Sequence, residues 1–165
     1  MGLSSTSNSF DSFYSPTRGK IAKDDVFSQI AQTISSSLGP FEVIVGADSQ
    51  LKSRGTYFAL VISVIRPGHG GTFFYHKFQE HHYPSLQQRI FQEAMYAVGL
   101  ATEVREYLRD RQYDTPVRLH FDIGTKGPTR KFIQSLLALA ETNHFRAEIK
   151  PNSFCASTIA DRFTR

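Results

Sequence analysis

Apolar residues recur along the chain with two different periods, and their order predicts the elements. Between residues 23 and 37, Val26, Phe27, Ile30 and Ile34 fall on one helical face, and Gly39-Pro40 stops the run. Residues 41–48 (FEVIVGAD) and 56–66 (TYFALVISVIR) are apolar and β-branched, as buried strands are, with Arg54-Gly55 as the turn between them. Pro67-Gly68 and Gly70-Gly71 close the second strand, and residues 72–78 (TFFYHKF) make a third. Links this short and rich in glycine favour antiparallel hairpins. A long helix is expected over 85–111 and a strand over 117–122 (VRLHFD). A helix over 129–142, a strand over 145–150 and a terminal helix over 154–163 complete the series. Strands that alternate with helices imply parallel pairing through right-handed crossovers. The expected fold class is therefore α/β, a five-stranded mixed sheet of three antiparallel and two parallel strands with helices on both faces.

Residues 1–20 read as a polar tail, rich in Ser, Thr and Asn, ahead of a domain over 21–165. Phe10, Phe13 and Tyr14 are its large apolar groups, an aromatic patch suited to docking on the body. The aromatic edge of the third strand is where such a segment, or a partner, would lie. The opening residues lack the basic start and apolar run of a secretory signal, and Met1-Gly2 with Thr6 fits a myristoylation pattern only formally.

Composition narrows the function classes. The chain has 165 residues, 40% of them apolar, which suits one domain with a substantial core. No stretch approaches the roughly 20 uninterrupted apolar residues of a membrane helix, and no membrane partner is expected. A single cysteine, Cys155, excludes an internal disulfide and a cysteine-clustered zinc site, and suits a cytoplasmic setting. Net charge is +4, and residues 118–165, with eight basic and four acidic side chains, carry all of it. That bias is a modest argument for a phosphate-bearing partner, nucleic acid above all.

Three carboxylates stand out by position. Asp48 and Asp122 each follow an apolar strand run directly. If those strands are parallel neighbours, both emerge at the carboxyl edge of the sheet, where open α/β folds bind ligands. Like charges placed there are costly unless a cation lies between them. In the long helix, at about 100° per residue, Glu93 lies roughly 60° from the centre of the stripe formed by Leu86, Ile90, Ala94, Ala97, Ala101, Val104 and Leu108. It either snorkels from the stripe's edge to solvent or is buried for a reason. Asp161 is a fourth acid, on a small-residue surface of the last helix that also carries Ser157 and Ala160.

The order of elements and the segments GADSQ (46–50), HFDIGTKGPTRKFI (120–133) and KPNSFCASTIADRFT (150–164) resemble the ribonuclease H-like superfamily, and within it the uncharacterised bacterial proteins of the YkuK type. The resemblance implies a ribonuclease H-like fold and metal-dependent phosphodiester hydrolysis by Asp48, Glu93, Asp122 and Asp161. Two Mg²⁺ or Mn²⁺ ions would be held by these oxygens, with Asp48 between them, Glu93 and Asp122 on one ion each, and Asp161 on the second. Two departures from the hybrid-cleaving enzymes stand out. The link before the fifth strand is too short for a basic handle, and the chain has no tryptophan.

Further polar groups surround this set. Gly124 to Pro128 precedes a helix start, where free amides with Thr125, Lys126 and Arg130 would bind phosphate; the same Gly-Pro pair serves equally as a plain turn. Lys150 ends the fifth strand near the cleft, and Ser49 beside Asp48 reads as a hydroxyl at the metal's edge. His76, His81 and His82 read as a loop surface rather than a zinc site, and Cys155 as packing. The leading expectation is a divalent-metal nuclease acting on RNA or DNA. The alternatives are a non-catalytic nucleic-acid- or protein-binding module, and a phosphohydrolase or nucleotide binder for small molecules.

Overall fold

The structure is a computed structural model and describes residues 10–150. It is built on β1 (Ser12–Ser15), β2 (Gly19–Ala22), α1 (Lys23–Ser36), β3 (Glu42–Lys52), β4 (Gly55–Ile65), β5 (Gly71–Glu80), α2 (Leu86–Asp110), β6 (Val117–His120), α3 (Ile133–Thr142) and β7 (Ala147–Glu148). The strands form one mixed sheet in the order β2-β1-β5-β4-β3-β6-β7. β3, β4 and β5 pair antiparallel, and β6 and β7 add to β3 in parallel.

The sheet thus has seven strands among the described residues where five were expected, and the additional two come from the polar N-terminal stretch. β1 and β2 form a hairpin, with Phe13 opposite Ile21, that adds to β5 through Tyr14 and Tyr75. Each strand has four residues, too few for alternation to rise above a background of serine, glycine and lysine. Their role is nonetheless clear: they cover the aromatic edge of β5, and the exposed edge passes to a short strand that carries Lys20. Phe13 is fully buried, and its ring stands 5.8 Å from that of His76.

From β3 to β6 to β7 the chain always steps the same way across the sheet. Right-handed crossovers then put both linking helices, α2 and α3, on one face. α1 joins them there, and the three helices share one core with Val43, Val45, Ala47, Leu60, Ile62 and Leu119 of the sheet. Ile44 and Val61 point to the other face, where Ile65, Phe73 and Tyr75 pack on them. The helix expected over 154–163 lies outside the described residues.

Element ends differ from expectation by a few residues, with one consequence. The helix expected from residue 129 begins as a short 3₁₀ turn at Arg130–Phe132, and α3 proper starts at Ile133. Gly127 has φ of +86°, which turns the chain before Pro128 and delays the helix.

If the hairpin is part of the core, Phe13→Ala should destabilise the protein by about 3–5 kcal/mol. Chemical denaturation measures this; a change within the error of the midpoint would mean that residues 12–22 are dispensable to the body.

Candidate active site

β3 and β6 run in the same direction, and their last registered pair is Gly46 with His120. Asp48 and Asp122 each lie two residues further on, so they stand at one level of the sheet. Asp122 is just past β6, but Asp48, expected to close its strand, lies within β3, whose pairing with β4 continues to Lys52. Backbone bonds carry the chain past β6. Phe121 donates to the Glu148 carbonyl at 2.9 Å, and Lys150 donates to the Ile123 carbonyl at 2.8 Å. This ladder holds Asp122 and Lys150 side by side, and Lys150 Nζ stands 2.9 Å from Asp122 Oδ1. The approach is tight at the backbone as well: a methyl group on Gly124 would come within 3.3 Å of Lys150 Cβ.

Glu93 reaches the same region from α2. It is half-buried, and Ser49 Oγ donates a hydrogen bond of 2.5 Å to its Oε1. Burial pushes the Glu93 carboxyl well above the ordinary range. The charge of Asp48 pushes it further, and that of Asp122 adds less; the bond from Ser49 and the Arg89 guanidinium act in the opposite direction. Glu93 therefore senses both Asp48 and Asp122 at one sheet edge. Asp161 lies outside the described residues.

The donor set suits a hard divalent cation, since it offers carboxylate oxygens alone. Asp122 Oδ1 is also a buried oxygen with no hydrogen bond, because Lys150 lies close to it but out of alignment. The spacing is less favourable. Among the described residues, no group of three His, Cys, Asp or Glu side chains is gathered closely enough to hold an ion. The cavity shared by Glu93, Asp122, Ala47 and Phe121 is about 10 Å³, no more than one water needs.

The other expected site residues divide. Ser49 touches Glu93 directly, and Lys150 touches Asp122. Thr125, Lys126 and Arg130 instead line a wide surface cleft of about 970 Å³ that shares no residue with the carboxylate cavity. The histidines are dispersed: His76 packs among Phe10, Phe13 and Phe78, His81 lies against Tyr83, and His82 bonds to the Lys52 carbonyl. Two neighbours escaped the sequence reading. Arg89 lies one helical turn before Glu93, a spacing that could have revealed it. His120 is buried two residues before Asp122, where alternation within VRLHFD puts both on one face; burial lowers its pKa, with Glu148 opposing.

The raised pKa of Glu93 has a definite sign for stability. The folded state holds this proton more tightly than the unfolded chain does. Its contribution is therefore complete below the unfolded value, near pH 4.3, and is lost as the pH rises through the folded value. In chelator, Glu93→Gln keeps an acceptor for Ser49 and removes the charge, so it should raise the melting temperature at neutral pH. That gain should vanish near pH 4. A melting series across pH checks this, and a difference constant with pH would contradict it.

Comparison with known proteins agrees with this architecture. The family model described as Ribonuclease H-like matches residues 25–165. A protein of Bacillus subtilis (strain 168), named Uncharacterized protein YkuK, is 26% identical over an alignment of 167 residues that covers 93% of this chain and 96% of the relative. No solved structure matches. With a match of that extent over a sheet of this topology, the chain belongs to the ribonuclease H-like family.

Proposed function

We propose that the protein is a divalent-cation-dependent phosphodiester hydrolase acting on nucleic acid, with Asp48, Glu93 and Asp122, together with Asp161, as the residues that hold Mg²⁺ or Mn²⁺. The observation that carries this reading is the crowding of carboxylates on Glu93, whose pKa is raised by burial and by both aspartates at one sheet edge. Like charges collected on separate elements of a fold are stabilised by a cation or by a proton. Two bound divalent ions would activate a water and stabilise the leaving oxygen of an in-line displacement. Asp122 would contribute its buried Oδ1, which faces Lys150 in an ion pair but makes no aligned hydrogen bond, and Ser49 would orient Glu93 through the bond it already makes. Lys150, more than half exposed beside Asp122, would lie where it can meet a substrate phosphate.

A second reading, a nucleic-acid-binding module without turnover, is favoured by a different observation. Lys150 and Ser49 already engage Asp122 and Glu93, and the cavity between these two acids is very small.

The two readings separate experimentally. For the hydrolase, Asp48→Asn and Asp122→Asn should each abolish cleavage of RNA and DNA oligonucleotides in Mg²⁺ or Mn²⁺ while the circular dichroism spectrum stays unchanged. Saturating Mn²⁺, at a hundred times its dissociation constant, should stabilise the wild type by about 2.7 kcal/mol. Asp122→Asn should lose most of that gain. Cleavage that survives both substitutions would exclude this site, and salt-sensitive binding without turnover or a cation-induced shift would favour the module.

A further inference from the structure

A groove of about 360 Å³ opens beside Asp48 on β3, β4 and β5, lined by Gln50, Lys52, Tyr57, Lys77 and Gln79 as well as Asp48 itself. The strand registers explain its shape. Asp48 pairs with Ala59 and Ala59 with Lys77; in the next row on the same face, Gln50 pairs with Tyr57 and Tyr57 with Gln79. Ala59 puts a single methyl group between two longer side chains, which leaves a depression with the Tyr57 ring at its side. The two-residue turn between β3 and β4 closes the end. Gly55 has φ of +146°, and a methyl group there would come within 2.3 Å of the Glu80 carbonyl oxygen, so this turn requires glycine. So tight a reversal brings Lys52 back over Tyr57, with Nζ 4.9 Å from the ring centroid.

On this face the side chains are the Tyr57 ring flanked by two amides and two ammonium groups, with Asp48 as the one acid; Ser49, Phe58, Ala59 and Phe78 complete the lining. We infer that this groove binds a single-stranded segment of nucleic acid, with an unpaired base stacked on Tyr57 and the adjoining phosphates on Lys52 and Lys77, and so leads the strand to Asp48. The inference rests on the proposed hydrolytic reading only for that last step. Charge complementarity identifies a polyanion, and the ring narrows it further. A base within a duplex has both faces covered by its neighbours, whereas an unpaired base can stack on an aromatic side chain. The volume is at the lower end of the range of about 300–1,000 Å³ for ligand clefts, which suits one nucleotide-sized group rather than the flank of a helix. Gln50 and Gln79, on either side of the ring, offer both donors and acceptors to the edge of any base. A Lys52 displaced from the ring by the base would still reach the phosphate beside it.

The test is fluorescence anisotropy with labelled oligothymidylate, oligouridylate and a duplex of equal length, in chelator so that nothing is cleaved. Single strands should bind more tightly than the duplex. Tyr57→Leu should weaken single-strand binding about tenfold, and Tyr57→Phe should restore it, because the ring and not the hydroxyl makes the stack. Lys52→Gln should flatten the slope of log affinity against log salt by roughly 0.7, the release expected for one phosphate on a single strand. Equal affinity for duplex and single strand, or a Tyr57→Leu protein with unchanged affinity, would overturn the inference. So would a Tyr57→Leu protein whose melting temperature falls while its affinity holds, since the ring would then be packing for the protein itself. Single-strand binding that follows this pattern in a protein that cleaves nothing would support the groove and count against the hydrolytic reading alone.

Discussion

Parallel pairing of β3 with β6 is the constraint on which the site depends. Antiparallel neighbours would carry the residues that follow their last shared pair in opposite directions, whereas these two strands bring Asp48, within β3, and Asp122, just past β6, to one level of the sheet. A parallel pair also needs a crossover, and here the crossover is the 25-residue α2. Its inward stripe, with Ala94, Ala97 and Ala101, is small enough to lie close on β3. That closeness brings Glu93 within reach of Ser49. One pairing choice therefore accounts for all three acids, and β7 extends it by tying Lys150 to the chain beyond Asp122.

The electrostatics follow from this crowding. Among the described residues, the counter-charge set against Asp122 and Glu93 is modest. Lys150 is more than half exposed in its ion pair, so water screens much of what it offers Asp122. Arg89 lowers the Glu93 pKa less than any other influence acting on it. A proton on Glu93, toward which its raised pKa tends, would be one answer to the surplus of negative charge. Divalent ions are a stronger one, because they supply more charge and more ligand positions than a proton does.

Much of this organisation was legible in the sequence. The β3–β5 runs are long enough for burial and turn chemistry to agree, and Gly39-Pro40 and Gly70-Gly71 punctuate them. Asp48 and Asp122 were found because an acid directly after an apolar strand run has a position and not just a composition. Glu93 was found by helical phase, and Ser49 and Lys150 by adjacency. The β1–β2 hairpin was not legible as strand, since four residues with one or two inward side chains carry almost no periodicity; only its aromatic patch hinted at docking. The 3₁₀ turn ahead of α3 was hidden because Gly-Pro announces a turn without saying how many residues it takes. Thr125, Lys126 and Arg130, expected from the helix start that follows Asp122, line a separate surface cleft.

Charge shows most clearly where sequence position and spatial position part. All of the net positive charge lies in residues 118–165, which points to the last third of the chain as the surface for a polyanion. The groove beside Asp48 takes both of its lysines from residues 1–117, which are neutral as a whole. What gathers them is register. β3 and β5 flank β4, and a residue pairing on each side of Ala59 and Tyr57 sets one lysine at the turn and another across the sheet from Asp48. A neutral stretch can present a cationic surface when its acids fall elsewhere on the fold. Glu42, for example, is spent at the far end of β3 in an ion pair with Arg118. Local potential, and not the sum over a segment, decides where a charged strand first meets the protein. The cation-rich groove and the anion-rich edge meet at Asp48, so a strand drawn to the lysines would be delivered to the carboxylates.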